Sequence, residues 1–168
     1  FGNITTNIAA GVASIPEARL RFYFVSRQLQ PAWLGALINR KIGKFGFKIL
    51  RNTISIESLK FYLEAASAVV IPFDNHDGRN GSSMVNFLEH PAVTLHGLVL
   101  IAISTGSPVI PASCWIGENG KQVLRFEEPL QLAKSSSAKE EIHINTQLLN
   151  TILERMVLRH PDECWWMH

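Results

Sequence analysis

Hydrophobic and polar positions alternate along this chain in short blocks, and the period of each block predicts its element. In residues 19–26, Leu20, Phe22 and Phe24 alternate against Arg21 and Tyr23, the period of a strand. Gln30-Pro31 opens a helix over 32–42, with apolar positions at Trp33, Leu34, Leu37 and Ile38, and Gly43 and Gly46 stop it. Residues 47–50 form a short strand, and Ser55 then caps a helix over 56–66 with Leu59, Phe61, Tyr62 and Leu63 facing inward. The stretch 71–111 organises the chain. A buried strand, 68–74, ends on Asp74, and a polar, Gly-rich loop leads to an extended piece, 84–88. Pro91 and Thr94 open an apolar helix over 94–104, Thr105-Gly106-Ser107-Pro108 ends it, and a second buried strand occupies 108–114. Strand, loop, helix, strand predicts a βαβ unit of a parallel sheet, with function at the strand tips.

Beyond that unit, Glu118-Asn119-Gly120 predicts a hairpin turn between 109–116 and 122–126. Residues 132–141 form a polar surface loop. Asn145 caps a last helix, 146–159, whose pairs Leu148/Leu149, Ile152/Leu153 and Met156/Val157 make an amphipathic stripe. Upstream, small residues 4–13 form a short helix capped by Asn3 and broken at Pro16-Glu17. No internal repeat or linker divides the chain. The alternation predicts an α/β fold: a mixed, largely parallel sheet flanked by helices on both faces, in one domain over 1–168.

Composition narrows the functional classes. Charged residues make up only 18% of the chain, which points to contact with an apolar partner or a membrane surface. The net charge of +2 lacks the clustered Lys/Arg stripe of a nucleic-acid footprint, so no nucleic-acid partner is expected. It suits anionic lipid or an acidic carrier protein. Cys114 and Cys164 have neither metal spacing nor a disulfide framework, which fits a reducing compartment. No apolar run approaches the roughly 20 residues of a membrane span. Phe1 at one end and Trp-Trp-Met-His at the other read as a fragment truncated at both ends, with any anchor lying outside it.

Several motifs in order resemble the bacterial lipid A biosynthesis acyltransferases, the lauroyl/myristoyl branch of the lysophospholipid acyltransferase superfamily. Phe1-Gly2-Asn3 resembles the interior of the family's His-x-Gly-Asn-x-Glu stretch, with the His one position before Phe1. The segment from Leu37-Ile38-Asn39-Arg40 to the helix over 56–64 resembles the family's Asn-Arg segment. Asp74-Asn75 stands for its Asp-Gln pair, and Val85-Asn86-Phe87-Leu88 with Pro91-Ala92-Val93-Thr94 for its phenylalanine-rich Pro-x-x-Thr piece. Thr105-Gly106-Ser107-Pro108-Val109-Ile110-Pro111 resembles T-G-a-x-v-x-P. His160-Pro161-Asp162-Glu163 through Trp166-Met167-His168 resembles the closing P-E-x-x-x-W-x-H.

The resemblance implies an acyltransferase-like fold and transfer of a fatty acyl group. The donor would be a thioester on acyl carrier protein, and the acceptor a hydroxyl of a lipid A precursor or a related glycolipid or phospholipid. It implies no cofactor and no metal, and a place on the cytoplasmic face of the bacterial inner membrane. A hydroxyl is a poor nucleophile at neutral pH, so a general base, the His, must take its proton. The motif acid orients that imidazole, and helix N-termini can hold the thioester oxyanion. Here the acid's place falls on Thr5, which accepts a hydrogen bond but carries no charge. Loss of the corresponding carboxylate in Ser-His-Asp hydrolases costs about 10⁴ in rate. The expected catalytic set is therefore Asn3, Thr5 and Asp74, with Phe1, Gly2, Arg40, Asn75 and Thr94 binding substrate.

Each residue also has a plain reading. Asp74 can be a loop cap, Arg40 a charge complementing a helix dipole, Asn3 and Thr94 helix caps, and His76 and Asp77 solvated loop residues. His90 and His96 flank a helix start and are structural. Gly2, Gly97 and Gly106 serve turns or close packing, and Trp165 and Trp166 anchor a core or interface. Two other functions compete. Asn75-His76-Asp77 is similar to one block of metal-dependent phosphoesterases, whose other ligand blocks are missing here. Thr5 suggests a catalytically impaired domain of the same fold that only binds lipid or a partner.

Overall fold

The computed structural model describes residues 21–26, 31–44, 47–65, 67–73 and 81–163. The readings of residues 4–13 as a helix and of Trp165 and Trp166 as anchors lie outside those residues. The first half of the chain alternates strand and helix: β1 (Arg21–Ser26), α1 (Ala32–Gly43), β2 (Phe47–Arg51), α2 (Ile56–Glu64) and β3 (Ser67–Val70). The three strands form one parallel sheet in the order β2-β1-β3. Phe24 lies opposite Ile49 on one side and Val70 on the other. Helical crossovers are what parallel neighbours require.

As the central strand, β1 is covered on both faces, because the adjacent residues Tyr23 and Phe24 point opposite ways and both are buried. The alternation that set Tyr23 against the core is thereby corrected. Its ring lies 4.2 Å from that of Tyr62 on α2, while Phe22 meets Phe47 across the sheet at 5.1 Å. Ser55 caps α2 as expected, accepting from the Ser58 N–H. Leu59 is buried beneath that helix, but Phe61 is exposed. The inward stripe on α2 is therefore narrower than its apolar composition suggests.

The organising stretch departs from the expected βαβ unit. Between β3 and the apolar helix stands an antiparallel hairpin, β4 (Ser82–Phe87) and β5 (His90–Leu95), and the helix α3 runs from Gly97 to Thr105. Pro91 and Thr94 thus belong to a strand rather than a helix start. Pro91 pairs with Asn86, whose N–H and C=O both point away from β5, so the missing proline N–H costs no ladder bond. The hairpin closes through Leu88 and Glu89, with φ of 48° and 65°. Two central residues at positive φ match a type I′ connection, here without the usual Asn-Gly. α3 buries Val99, Ile101 and Ala102 and ends at Gly106 in the left-handed conformation, whose N–H reaches the Ala102 carbonyl at 2.9 Å.

The strand expected to complete the parallel unit instead forms β6 (Ala112–Ile116) and pairs antiparallel with β7 (Gln122–Phe126). The Asn119-Gly120 turn is present, with Gly120 alone taking positive φ, at 70°. The last helix, α4 (Ala138–Arg159), starts earlier than expected, absorbing residues 138–141 of the polar stretch read as a loop. Ser137 is its cap, accepting from the Glu140 N–H. Asn145 is corrected from cap to buried mid-helix residue, fully shielded from solvent. Its Oδ1 accepts from the Ala133 N–H at 2.8 Å, and its Nδ2 donates to the Ala133 and Glu141 carbonyls, each at 2.9 Å. The amide thus stitches the incoming loop to the helix as a strand neighbour would. Leu149, Ile152 and Val157 bury the expected apolar stripe.

Asn145→Ala removes those three bonds and leaves the half-buried Ala133 N–H and C=O without the amide. At about 1 kcal/mol per bond plus the cost of unpaired groups, urea unfolding should show a loss of about 2–4 kcal/mol; a loss below about 0.5 kcal/mol would contradict this role. Glu89→Gly relieves a side chain held at positive φ and is expected to raise stability by about 1 kcal/mol in the same experiment. A decrease would mean that the Glu89 side chain holds the turn.

Candidate functional site

The three parallel strands run the same way, so their C-terminal ends share one edge, the place where open α/β folds gather their chemistry. There the Asn52 N–H donates to the Ser26 carbonyl at 3.0 Å, tying the ends of β1 and β2. From β3 the chain continues through Ile71-Pro72-Phe73, and Asp74 and Asn75 come next. Both lie outside the described residues, as do Phe1, Gly2, Asn3, Thr5, His76 and Asp77. The chain is described again from Gly81, whose carbonyl accepts from the His96 N–H at the head of α3, at 3.1 Å. Phe73 thus follows the end of β3, and Gly81 stands beside the head of α3.

Two of the expected substrate-binding residues are described, and they stand on different elements. Arg40 is exposed on the second half of α1 and makes no ion pair among the described residues. Thr94 is half-buried on β5, and its Oγ1 accepts from Asn150 Nδ2 at 2.9 Å, which leaves its own proton free to donate elsewhere.

Sequence reasoning missed the polar face that α4 turns toward the hairpin. Gln147 forms two bonds with one peptide position: its Oε1 accepts from the Asn86 N–H at 2.7 Å, and its Nε2 donates to the Asn86 carbonyl at 3.1 Å. Asn150 Nδ2 donates to the same carbonyl at 3.1 Å as well as to Thr94. Glu154 Oε1 accepts from the Leu88 N–H at 2.7 Å, on the strained turn. Positions 147, 150 and 154 fall on one helix face, and that spacing of polar residues beside the Leu149/Ile152 stripe is the signal that could have found them. The side chains act as a substitute strand, occupying the edge of β4 that would otherwise be open.

Also missed was the contact between Ser83 and His96. Ser83 Oγ lies 2.9 Å from His96 Nδ1, and both residues are half-buried. Ser83 also lines a groove of about 500 Å³ between the start of β4 and the first turns of α4, with Met84, Lys139, Glu140 and His143. His96 sits at the N-terminus of α3 and does not cap it through its side chain. Its imidazole rests beside Gly81, where an added Cβ would stand 3.9 Å from Nε2.

At the far end of α4, a second groove of about 260 Å³ is lined by Pro111, Glu127, Ile152, Arg155, Met156 and Arg159. Arg159 hydrogen-bonds Glu127 and holds its carboxyl below the usual carboxylate range, against a smaller opposing effect of burial, with Arg125 at 3.3 Å adding to the lowering. Next to this pair the His160 imidazole stacks on Trp115 at 4.4 Å, fixing the end of α4 to β6.

No curated protein matches the chain. A family model described as bacterial lipid A biosynthesis acyltransferase matches residues 6–168, nearly the whole length. The chain, a mixed α/β fold with a parallel sheet, therefore belongs to the bacterial lipid A biosynthesis acyltransferase family.

Proposed function

We propose that this acyltransferase moves a fatty acyl group from a thioester on acyl carrier protein to a hydroxyl of a lipid A precursor or a related glycolipid. Membership of the family across residues 6–168 carries the reading. In it, the His expected ahead of Phe1 takes the proton from the acceptor hydroxyl as the oxygen attacks the thioester carbonyl. Asn3 and Thr5 shape and orient that base, and Asp74, four residues past the end of β3 in the sequence, holds the acceptor. The leaving thiolate takes up a proton, so no acyl-enzyme is needed.

The acceptor is a lipid, and the enzyme would meet it at the cytoplasmic face of the inner membrane. Among the described residues no helix is long and apolar enough to cross a membrane. α1 supports peripheral contact instead. Trp33 is 68% and Leu37 39% exposed, and with Arg40 they fall on one face of that helix, which Lys44 extends just past its end. An exposed aromatic and aliphatic stripe ending in cations matches the pattern of a helix lying in an anionic interface.

The test of transfer supplies acyl carrier thioester and lipid acceptor to the full-length protein. Asp74→Ala should lower turnover by about 10²-fold or more with little change in melting temperature; equal loss of both would make Asp74 structural. Thr5→Glu should raise the rate if Thr5 occupies the acid's place. No transfer with any acceptor would favour a domain of this fold that only binds lipid or a partner. On vesicles containing anionic lipid, Arg40→Gln should weaken binding about 5-fold, the equivalent of about 1 kcal/mol per surface cation. Binding that ignores both Arg40→Gln and Trp33→Ala would place the membrane contact elsewhere.

A further inference from the structure

We infer that Ser83 and His96 form a nucleophile–base pair that accepts an acyl group from an activated ester or thioester in the groove between β4 and α4. Three observations converge. The Ser83 Oγ to His96 Nδ1 distance of 2.9 Å is within the range of a working pair. Ser83 is among the residues lining a groove of about 500 Å³, together with Met84, Lys139, Glu140 and His143. The backbone that carries the imidazole is also fixed at both ends. The His96 backbone N–H is tied to Gly81, and its carbonyl accepts from the Leu100 N–H at 3.0 Å.

The chemistry balances without any further reagent. With its proton on Nε2, the imidazole presents Nδ1 as acceptor to the Ser83 hydroxyl. Ser83 Oγ attacks the carbonyl carbon, a C–O bond forms, and the hydroxyl proton passes to Nδ1. The C–S or C–O bond of the donor then breaks, and the leaving thiolate or alkoxide takes that proton. The products are an O-acyl Ser83 and a free thiol or alcohol. A hydroxyl or water attacking the ester returns the acyl group, and its proton restores Ser83 through Nδ1. The first-turn N–H groups of α3 follow His96 directly and lack a side-chain cap, so they are the donors at hand for the oxyanion.

The inference borrows from the acyl-transfer reading only the class of electrophile, and its test needs neither carrier protein nor lipid acceptor. The full chain is treated with an alkyl fluorophosphonate, and the modified peptide is found by mass spectrometry. One adduct per chain on Ser83 is expected. In His96→Asn the amide can keep the hydrogen bond at the Nδ1 position but supplies no base. Labelling should slow at least about 100-fold while the melting temperature holds. Absence of a Ser83 adduct in the wild type, or labelling of His96→Asn at the wild-type rate, would overturn the pair. A failure of lipid transfer with labelling intact would count against the proposed function alone.

Discussion

The second half of this fold depends on one interaction, the pairing of α4 side chains with the open edge of β4. A two-stranded hairpin is marginal in water, because one edge of each strand lacks a partner. Gln147 supplies both a donor and an acceptor to Asn86, and Asn150 fills the second lone pair of the same carbonyl. Glu154 then reaches the Leu88 N–H, a bond to a charged acceptor worth roughly 1.5–3 kcal/mol. Holding Leu88 and Glu89 at positive φ costs about 1–2 kcal/mol each. The carboxylate therefore offsets much of the strain in the turn, and the hairpin is rigid only while α4 is docked.

That constraint shapes what the molecule can do. The clamped hairpin carries Ser83 and Thr94 and leads straight into α3, and its first strand follows the segment holding Asp74. The β4–α4 groove and the entry to α3 thus share a single support. Asn145 anchors that support from the other side, tying α4 to the loop before it with three bonds at one buried amide. Buried polar groups of this kind are costly unless every bond is made, and here each is made.

Much of this architecture was legible in the sequence, and the misses have physical causes. Period-2 and period-3.6 patterns found β1, β2, α1, α2 and the body of α4, although β1 is buried on both faces rather than one. The Ser55 cap and the Asn119-Gly120 turn were readable from local chemistry alone. The β4–β5 hairpin was not, because its turn uses Leu88-Glu89, residues that take positive φ only under tertiary compulsion. Pro91 and Thr94 then imitated a helix start. Asn145 imitated a cap because its side-chain bonds go to a loop that local sequence cannot locate. Phe61 imitated core because an apolar side chain left exposed reads the same in sequence as one facing a core. At the site, order and spacing of motifs identified the family, while the Ser83–His96 contact joins residues 13 apart across a fold that had been misdrawn there.

Native-state hydrogen exchange at the Asn86 and Leu88 amides probes the clamp most directly. If α4 side chains hold this edge, both amides should exchange only through openings near the free energy of global unfolding, and Gln147→Ala should release Asn86 by several-fold more than its neighbours. Exchange of both amides at the rate of a fraying loop in the wild type would contradict the account.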